Sequence, residues 1–271
     1  TDAYAFLIEG DGKRVFYSGD FRAHGRKGVL FENMLKKPPK FIDVMLMEGT
    51  MLERDKKGCI DEKAVEEEFV NRMKKTDDLC FLLCSSQNID RLVSAYRSAL
   101  RSNRMFVVDI YTAWILNEAT LVSKKMPTIQ WNGVKVLSRG RTAARHYVVV
   151  KDNPDYFKNF KSTLYDKGNT VTIEEIARNP HDYLIKSNYI SEILKDCYCD
   201  EATLLYSMWE GYLEEKYNLK GFKKLVALKN DPGIRFIPVH TSGHAYLSDL
   251  SRFADRMSPK MLVPIHTEHA D

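Results

Sequence analysis

Histidine is the side chain best suited to bind zinc or to move a proton near neutral pH, and this chain gathers four of its seven in one terminal stretch. They are His240, His244, His266 and His269, within VHTSGHAYLSDLSRFADRMSPKMLVPIHTEH. Two acidic residues stand out toward the other end: Asp20 follows the apolar run RVFYSG, and Glu48 closes FIDVMLME. Carboxylate plus imidazole is a ligand set that suits zinc, and catalytic zinc keeps one position open for water. Singly, each residue says little. A strand-end Asp is more often a turn or cap residue, and a lone His more often packs or caps something.

Such residues need strand ends to deliver them. Residues 3–9 and 13–19 read as two strands joined at Asp11-Gly12, a pair that suits a tight hairpin turn. FRAHGRKG then reads as an exposed basic loop, and residues 41–48 as an apolar strand buried on both faces. From about residue 52 the rhythm becomes strand–helix alternation. DEKAVEEEFVNRMKK is an amphipathic helix with acids early and bases late, followed by the short strand LCFLLC, a loop and helix from SSQNIDRL, the strand RMFVVDI and a further helix. This pattern indicates a parallel α/β sheet. Residues 140–200 are expected to hold short helices near 154–162 and 172–178 and a strand at 183–187. A strand at 202–207 and the helix NLKGFKKLVALKN precede a final strand, helix and strand: GIRFIPV, AYLSDLSRFADRM and KMLVPIH. The expected boundaries fall near 51 and 233, with residues 52–232 inserted between 1–51 and 233–271.

The chain has 271 residues, 44% hydrophobic and 29% charged, which fits a globular protein of two packed units. A net charge of +4 tolerates an anionic partner without demonstrating one. Five cysteines, among them Cys80, Cys84, Cys197 and Cys199, do not form a secretory disulfide framework. No apolar run is long enough to span a bilayer and no signal peptide is visible, so a reducing, cytoplasmic setting is expected. The first residues plunge straight into strand-like sequence, as a fragment would.

YSGDFRAHGRKG, VMLMEGT, HTSGHA and KMLVPIHTE resemble, in order, four motifs of metallo-β-lactamase-fold nucleases that carry a β-CASP domain. SSQNIDRL also looks like the loop and helix start of their inserted domain. The resemblance covers nearly the whole chain and is strongest over 1–50 and 233–271. It implies an α/β fold: part of an αββα metallo-β-lactamase sandwich with an inserted parallel-sheet domain.

It also implies roles. Asp20 matches the aspartate that bridges two zinc ions, and His266 the late ligand histidine. Glu48 matches an acid that supports the metal shell by hydrogen bonding to a ligand imidazole. His244 matches a histidine beside the scissile phosphate, placed to protonate the leaving oxygen or stabilise its charge. Arg22, Thr241 and Ser242 could hold phosphate oxygens, although Ser and Thr often bond local backbone and Arg22 could simply pair with an acid. Asn88 and Arg91 could face nucleic acid from the insert, or simply start a helix. His24, His240 and His269 are read as non-ligands, and the tryptophans Trp114, Trp131 and Trp209 as core. The family's main zinc motif, His-x-His-x-Asp-His, is not present. This piece therefore carries the second part of the site and is expected to bind metal poorly and be inactive alone. The implied activity of the intact protein is zinc-dependent hydrolysis of single-stranded RNA, since RNA-processing members carry His where DNA-repair members usually carry Val. A DNA nuclease of the same fold and a non-catalytic nucleic-acid-binding scaffold are the alternatives, and a homodimer is compatible with either.

Overall fold

The computed structural model describes residues 4–52, 60–138, 141–164, 166–217 and 221–267, with the backbone alone for 141–145, 159 and 167. The chain forms two compact units: Thr1–Glu62 with Thr241–Asp271, and Lys63–His240. In chain order the elements begin with β1 (Phe6–Gly10), β2 (Lys13–Tyr17), α1 (Gly28–Lys36) and β3 (Val44–Glu48). Next come α2 (Glu62–Met73), β4 (Leu79–Leu83), α3 (Ile89–Arg101), β5 (Met105–Val108), α4 (Ile110–Ala119) and β6 (Val134–Leu137). Then follow α5 (Arg141–Asp152), α6 (Lys158–Leu164), β7 (Thr170–Val171), α7 (Ile173–Arg178), β8 (Tyr183–Lys186) and α8 (Ile190–Cys197). The chain closes with β9 (Ala202–Tyr206), α9 (Phe222–Asn230), β10 (Ile234–Pro238), α10 (Leu247–Met257) and β11 (Met261–Ile265).

The first unit is a four-stranded sheet in the order β1-β2-β3-β11. Its hairpin closes where the sequence predicts, at Asp11 and Gly12, both at positive φ (48° and 72°) as a type I′ turn requires. β2, β3 and β11 then run parallel. One face is packed by α1 and α10. Apolar residues of α10 recur at helical spacing, so Leu250, Phe253 and Met257 are buried against Phe31 and Leu35 of α1 and Phe16, Met45 and Met47 of the sheet. The rings of Phe21, Phe31 and Phe253 lie 4.9–5.7 Å apart, an aromatic cluster directly after Asp20 in sequence.

The second unit is a seven-stranded parallel sheet in the order β10-β9-β4-β8-β5-β6-β7, flanked by helices. β4 and β9 are buried throughout, consistent with their largely apolar sequences. Asn88 caps α3 by accepting the Arg91 N–H, and Thr172 with Glu175 form a reciprocal capping box on α7. The protein is thus an α/β fold, as its strand–helix alternation foretold.

Four details differ from expectation. The stretch from residue 233 was grouped with the outer unit, but β10 pairs with β9 in the larger sheet, so the change of unit comes at His240/Thr241. The corresponding change at the other junction falls at Glu62/Lys63 rather than residue 51. The basic loop 22–28 is largely half-buried because two of its side chains carry internal hydrogen bonds. Trp131 is exposed, meeting Tyr96 edge-on, instead of lying in the core. Among the described residues no helix is long and apolar enough to cross a membrane.

Candidate metal centre

The parallel neighbours β2, β3 and β11 end on the same rim of the first sheet, with Ile265 in register with Glu48. That rim receives the side chains the sequence singled out. Asp20 lies in the loop after β2, Glu48 ends β3, His266 follows β11, and His244 lies in the loop before α10.

Local backbone chemistry fixes each loop. Ser18 Oγ accepts the Glu48 N–H at 3.1 Å and donates to the Gly19 carbonyl at 2.7 Å. Gly19 adopts φ +58°, and a Cβ there would stand 2.6 Å from the Tyr4 carbonyl oxygen, so the turn that presents Asp20 needs glycine. The Gly49 N–H donates to the Ile265 carbonyl at 2.9 Å, and the Thr50 hydroxyl donates to the His266 carbonyl at 3.1 Å. His266 itself sits at φ +51°. Such a conformation costs a non-glycine residue about 1–3 kcal/mol and persists where surrounding contacts impose it.

Asp20, His244 and His266 each offer a donor atom, and these atoms lie within 4.8 Å of one another. His266 Nδ1 is 3.0 Å from Asp20 Oδ1, and the rings of His244 and His266 meet edge-on at 5.2 Å. Asp20 and His266 are exposed and His244 is half-buried, so the cluster opens to solvent. Behind it, Glu48 is buried. Its Oε1 accepts the Phe21 N–H at 2.9 Å and the Ala245 N–H at 3.2 Å, while Oε2 lies 2.8 Å from His244 Nδ1. A carboxylate oxygen accepts hydrogen bonds, as Oε1 does here from two backbone N–H groups. The proton therefore sits on His244 Nδ1, leaving Nε2 as the ring nitrogen with a lone pair.

This donor set fits zinc. One carboxylate and two imidazoles supply three protein ligands and leave a fourth, open position, the pattern of catalytic zinc. An imidazole whose far nitrogen is held by a carboxylate is the usual support for a ligand histidine. Among the described residues this is the group of three or more such donors that the fold assembles.

The residues expected to hold phosphate have partners within the protein. Arg22 is largely buried: Nη1 donates to the Ser242 carbonyl at 3.1 Å and Nη2 lies 3.3 Å from Glu62 Oε2. Thr241 is buried, its hydroxyl engaging the Ile60 carbonyl and Tyr246. Ser242 Oγ accepts the His244 N–H at 3.1 Å. Asn88 and Arg91 belong to the second unit. Asn88 is the α3 cap, and the Arg91 guanidinium is fully buried, donating to the carbonyl and hydroxyl of Ser207. His240 also falls in the second unit, and His269 lies outside the described residues. Sequence reasoning missed Glu62, a buried acid, and the part played by His24, whose ring stacks on Tyr246 at 4.4 Å. Their partners lie tens to hundreds of residues away, and no local pattern announces them.

Residues 233–271 match the family model of the Zn-dependent metallo-hydrolase RNA specificity domain. That match supports kinship with the metallo-β-lactamase superfamily of metal-dependent hydrolases. No curated protein matches the sequence. A solved protein of unknown function from Enterococcus faecalis V583 is similar over 98% of this chain and 56% of its own, at 20% identity and a TM-score of 0.67. At that identity the likeness is one of fold, and this chain spans little more than half the length of the structure it matches.

Proposed function

We propose that the intact protein is a zinc-dependent phosphodiesterase of the metallo-β-lactamase fold that hydrolyses single-stranded RNA, with the second unit of this chain a β-CASP-like insert and this chain inactive alone. The observation that carries this reading is the convergence of Asp20, His244 and His266 in front of the buried Glu48. The RNA specificity domain matched by the last 39 residues supports the choice of substrate.

Zinc, when bound, supplies Lewis acidity that polarises a phosphoryl oxygen and acidifies water from a pKa of 15.7 toward roughly 7. The protein's own contribution is to hold three donors in place. Asp20 and His266 approach from the ends of two parallel strands. His244 is the third donor, with its tautomer set by Glu48. The open side of the cluster, where Asp20 and His266 are exposed, is where a phosphodiester enters. Arg22, Thr241 and Ser242 shape the wall behind His244 through their internal hydrogen bonds.

Zinc content after dialysis and cleavage of labelled single-stranded RNA and DNA test this reading. RNA cleavage by the intact protein that stops on chelation and in Asp20→Ala is the expected result. Equal cleavage of DNA would overturn the substrate assignment, and full zinc retention by Asp20→Ala and His266→Ala would overturn the site. His244→Ala separates two uses of that imidazole. Loss of zinc makes it a ligand, whereas retained zinc with turnover reduced about 10²–10⁴-fold makes it the proton donor.

A further inference from the structure

The loop that carries His244 is held by two side-chain N–H donors, an imidazole and a guanidinium, aimed at one atom. His24 Nε2 lies 2.8 Å from the Ser242 carbonyl oxygen, and Arg22 Nη1 donates to the same oxygen at 3.1 Å. Because a carbonyl can only accept, the His24 proton is on Nε2. Arg22 is anchored in turn by Glu62, whose own N–H donates to the His24 carbonyl at 3.1 Å. The contacts therefore form a closed ring through His24, Glu62, Arg22 and Ser242. One step beyond, Ser242 Oγ accepts the His244 N–H and the next residue, Ala245, donates its N–H to Glu48.

We infer that His24 is a positioning residue for the metal centre: its Nε2–H, locked on the Ser242 carbonyl, sets the Ser242–His244 turn and thereby the approach of the His244 ring. The inference rests on the proposed metal centre and concerns a residue that is itself no ligand. Its physical basis is what histidine adds at this position. The ring stacks on Tyr246 at 4.4 Å, a task any aromatic side chain performs. The other nitrogen, Nδ1, is buried without a hydrogen-bond partner. A ring present only to pack would not leave a buried lone pair unsatisfied. The hydrogen bond from Nε2 is the one contribution that phenylalanine could not make, and it ends on the loop of a metal donor. Burial also holds the imidazole below its ordinary pKa, so the neutral, singly protonated ring is the form present at neutral pH.

The test compares His24→Phe, which keeps the stacked ring, with His24→Gln, whose amide N–H reaches about as far as Nε2. Zinc affinity is read by competition with a chromophoric chelator, and ligand geometry by the visible spectrum of the cobalt(II)-loaded protein. His24→Phe is expected to bind zinc about 3–10-fold more weakly, less than the 10–100-fold typical for a residue bonded directly to a ligand. Its cobalt bands should shift, and His24→Gln should restore both readouts. Wild-type affinity and spectrum in His24→Phe would overturn the inference, as would His24→Gln failing as badly as His24→Phe. If His24→Phe does not fold, His24→Ala takes its place in the comparison. Asp20→Ala and His266→Ala run alongside. If they retain zinc, the metal centre itself is wrong, whereas if they lose it while His24→Phe does not, only the role of His24 falls.

Discussion

Glu48 Oε2 and His244 Nδ1 lie 2.8 Å apart, and the other oxygen of the same carboxylate accepts two backbone N–H groups from two different loops, Phe21 and Ala245. One buried side chain thus ties together the loop after β2, the end of β3 and the loop before α10. Glu48→Gln keeps the shape but offers one acceptor oxygen instead of two. If that oxygen serves the backbone groups, the amide N–H₂ faces His244 Nδ1. The imidazole must then move its proton to Nε2, where it blocks metal binding. Zinc affinity is expected to fall about 10–100-fold, with the ring tautomer change visible in ¹⁵N chemical shifts. Glu48→Ala should in addition destabilise the fold by about 1–3 kcal/mol for each backbone N–H left unsatisfied. A Glu48→Gln protein that binds zinc as tightly as wild type would remove Glu48 from the centre.

The turn that presents Asp20 makes a second prediction. Gly19 has φ +58° and no room for a Cβ, while Gly12 in the hairpin turn has φ +72° and open space around it. Both substitutions to alanine carry the left-handed backbone cost of about 1–2 kcal/mol. Only Gly19→Ala also meets the Tyr4 carbonyl, so it should be the more destabilised of the two and the one that loses zinc affinity. At about 2–4 °C per kcal/mol for a protein of this size class, thermal melting resolves the difference. Equal melting temperatures and equal zinc binding would mean that the Tyr4 contact relaxes freely.

Asp20, Glu48 and His266 were legible in the sequence because each sits at or just after the end of an apolar run, and β2, β3 and β11 deliver their ends to a common rim, whereas His244 stood out only as one of the clustered histidines. The strands β4 and β5 were legible as unbroken apolar segments, and β9 and β10 as largely apolar ones interrupted by Thr203 and Arg235. Less visible were α5 and α8: α8 places Ile190, Ile193, Leu194 and Cys197 at helical spacing, but over only eight residues within a stretch rich in polar and aromatic side chains. The side of β10 was misjudged because sequence order cannot say which sheet an apolar strand joins, and pairing with β9 decides it. Arg22 and Thr241 looked like phosphate contacts from their neighbours in sequence. Their hydrogen bonds to Ser242 and Ile60 depend on residues about 180–220 positions away, which no local pattern encodes.

The cysteines provide a test of the second sheet. Burial pushes the Cys80 thiol to about 11 and the Cys197 thiol to about 12, and raises Cys199 as well. The thiolate is the nucleophile, so none of these three should alkylate readily in the native protein. Iodoacetamide at pH 8, read by peptide mass spectrometry, is expected to leave Cys80 and Cys197 unmodified until denaturant is added. The half-exposed Cys199 should be the first of the three to react. Prompt native labelling of Cys80 would contradict the burial of β4.

His24 makes the fold sensitive to mild acid. Burial lowers its pKa below the ordinary 6.5, the largest influence on it, against the opposing hydrogen bond to Ser242. As pH falls, the unfolded chain takes up this proton before the folded one does, so stability rises with pH across the interval where the two states differ. The stabilisation is complete above about 6.5 and is lost as pH drops from there through the lower, folded-state value. Glutamine keeps a donor for the Ser242 carbonyl and carries no titrating proton. Urea unfolding of wild type and His24→Gln at pH 7.5, 6.5 and 5.5 isolates the effect, since every other side chain is common to both proteins. Wild type should lose more stability than the variant between pH 6.5 and 5.5. Parallel losses would show that His24 protonates equally easily in the folded and unfolded chains, and that its Nδ1 is not the buried, unpartnered atom seen in the structure.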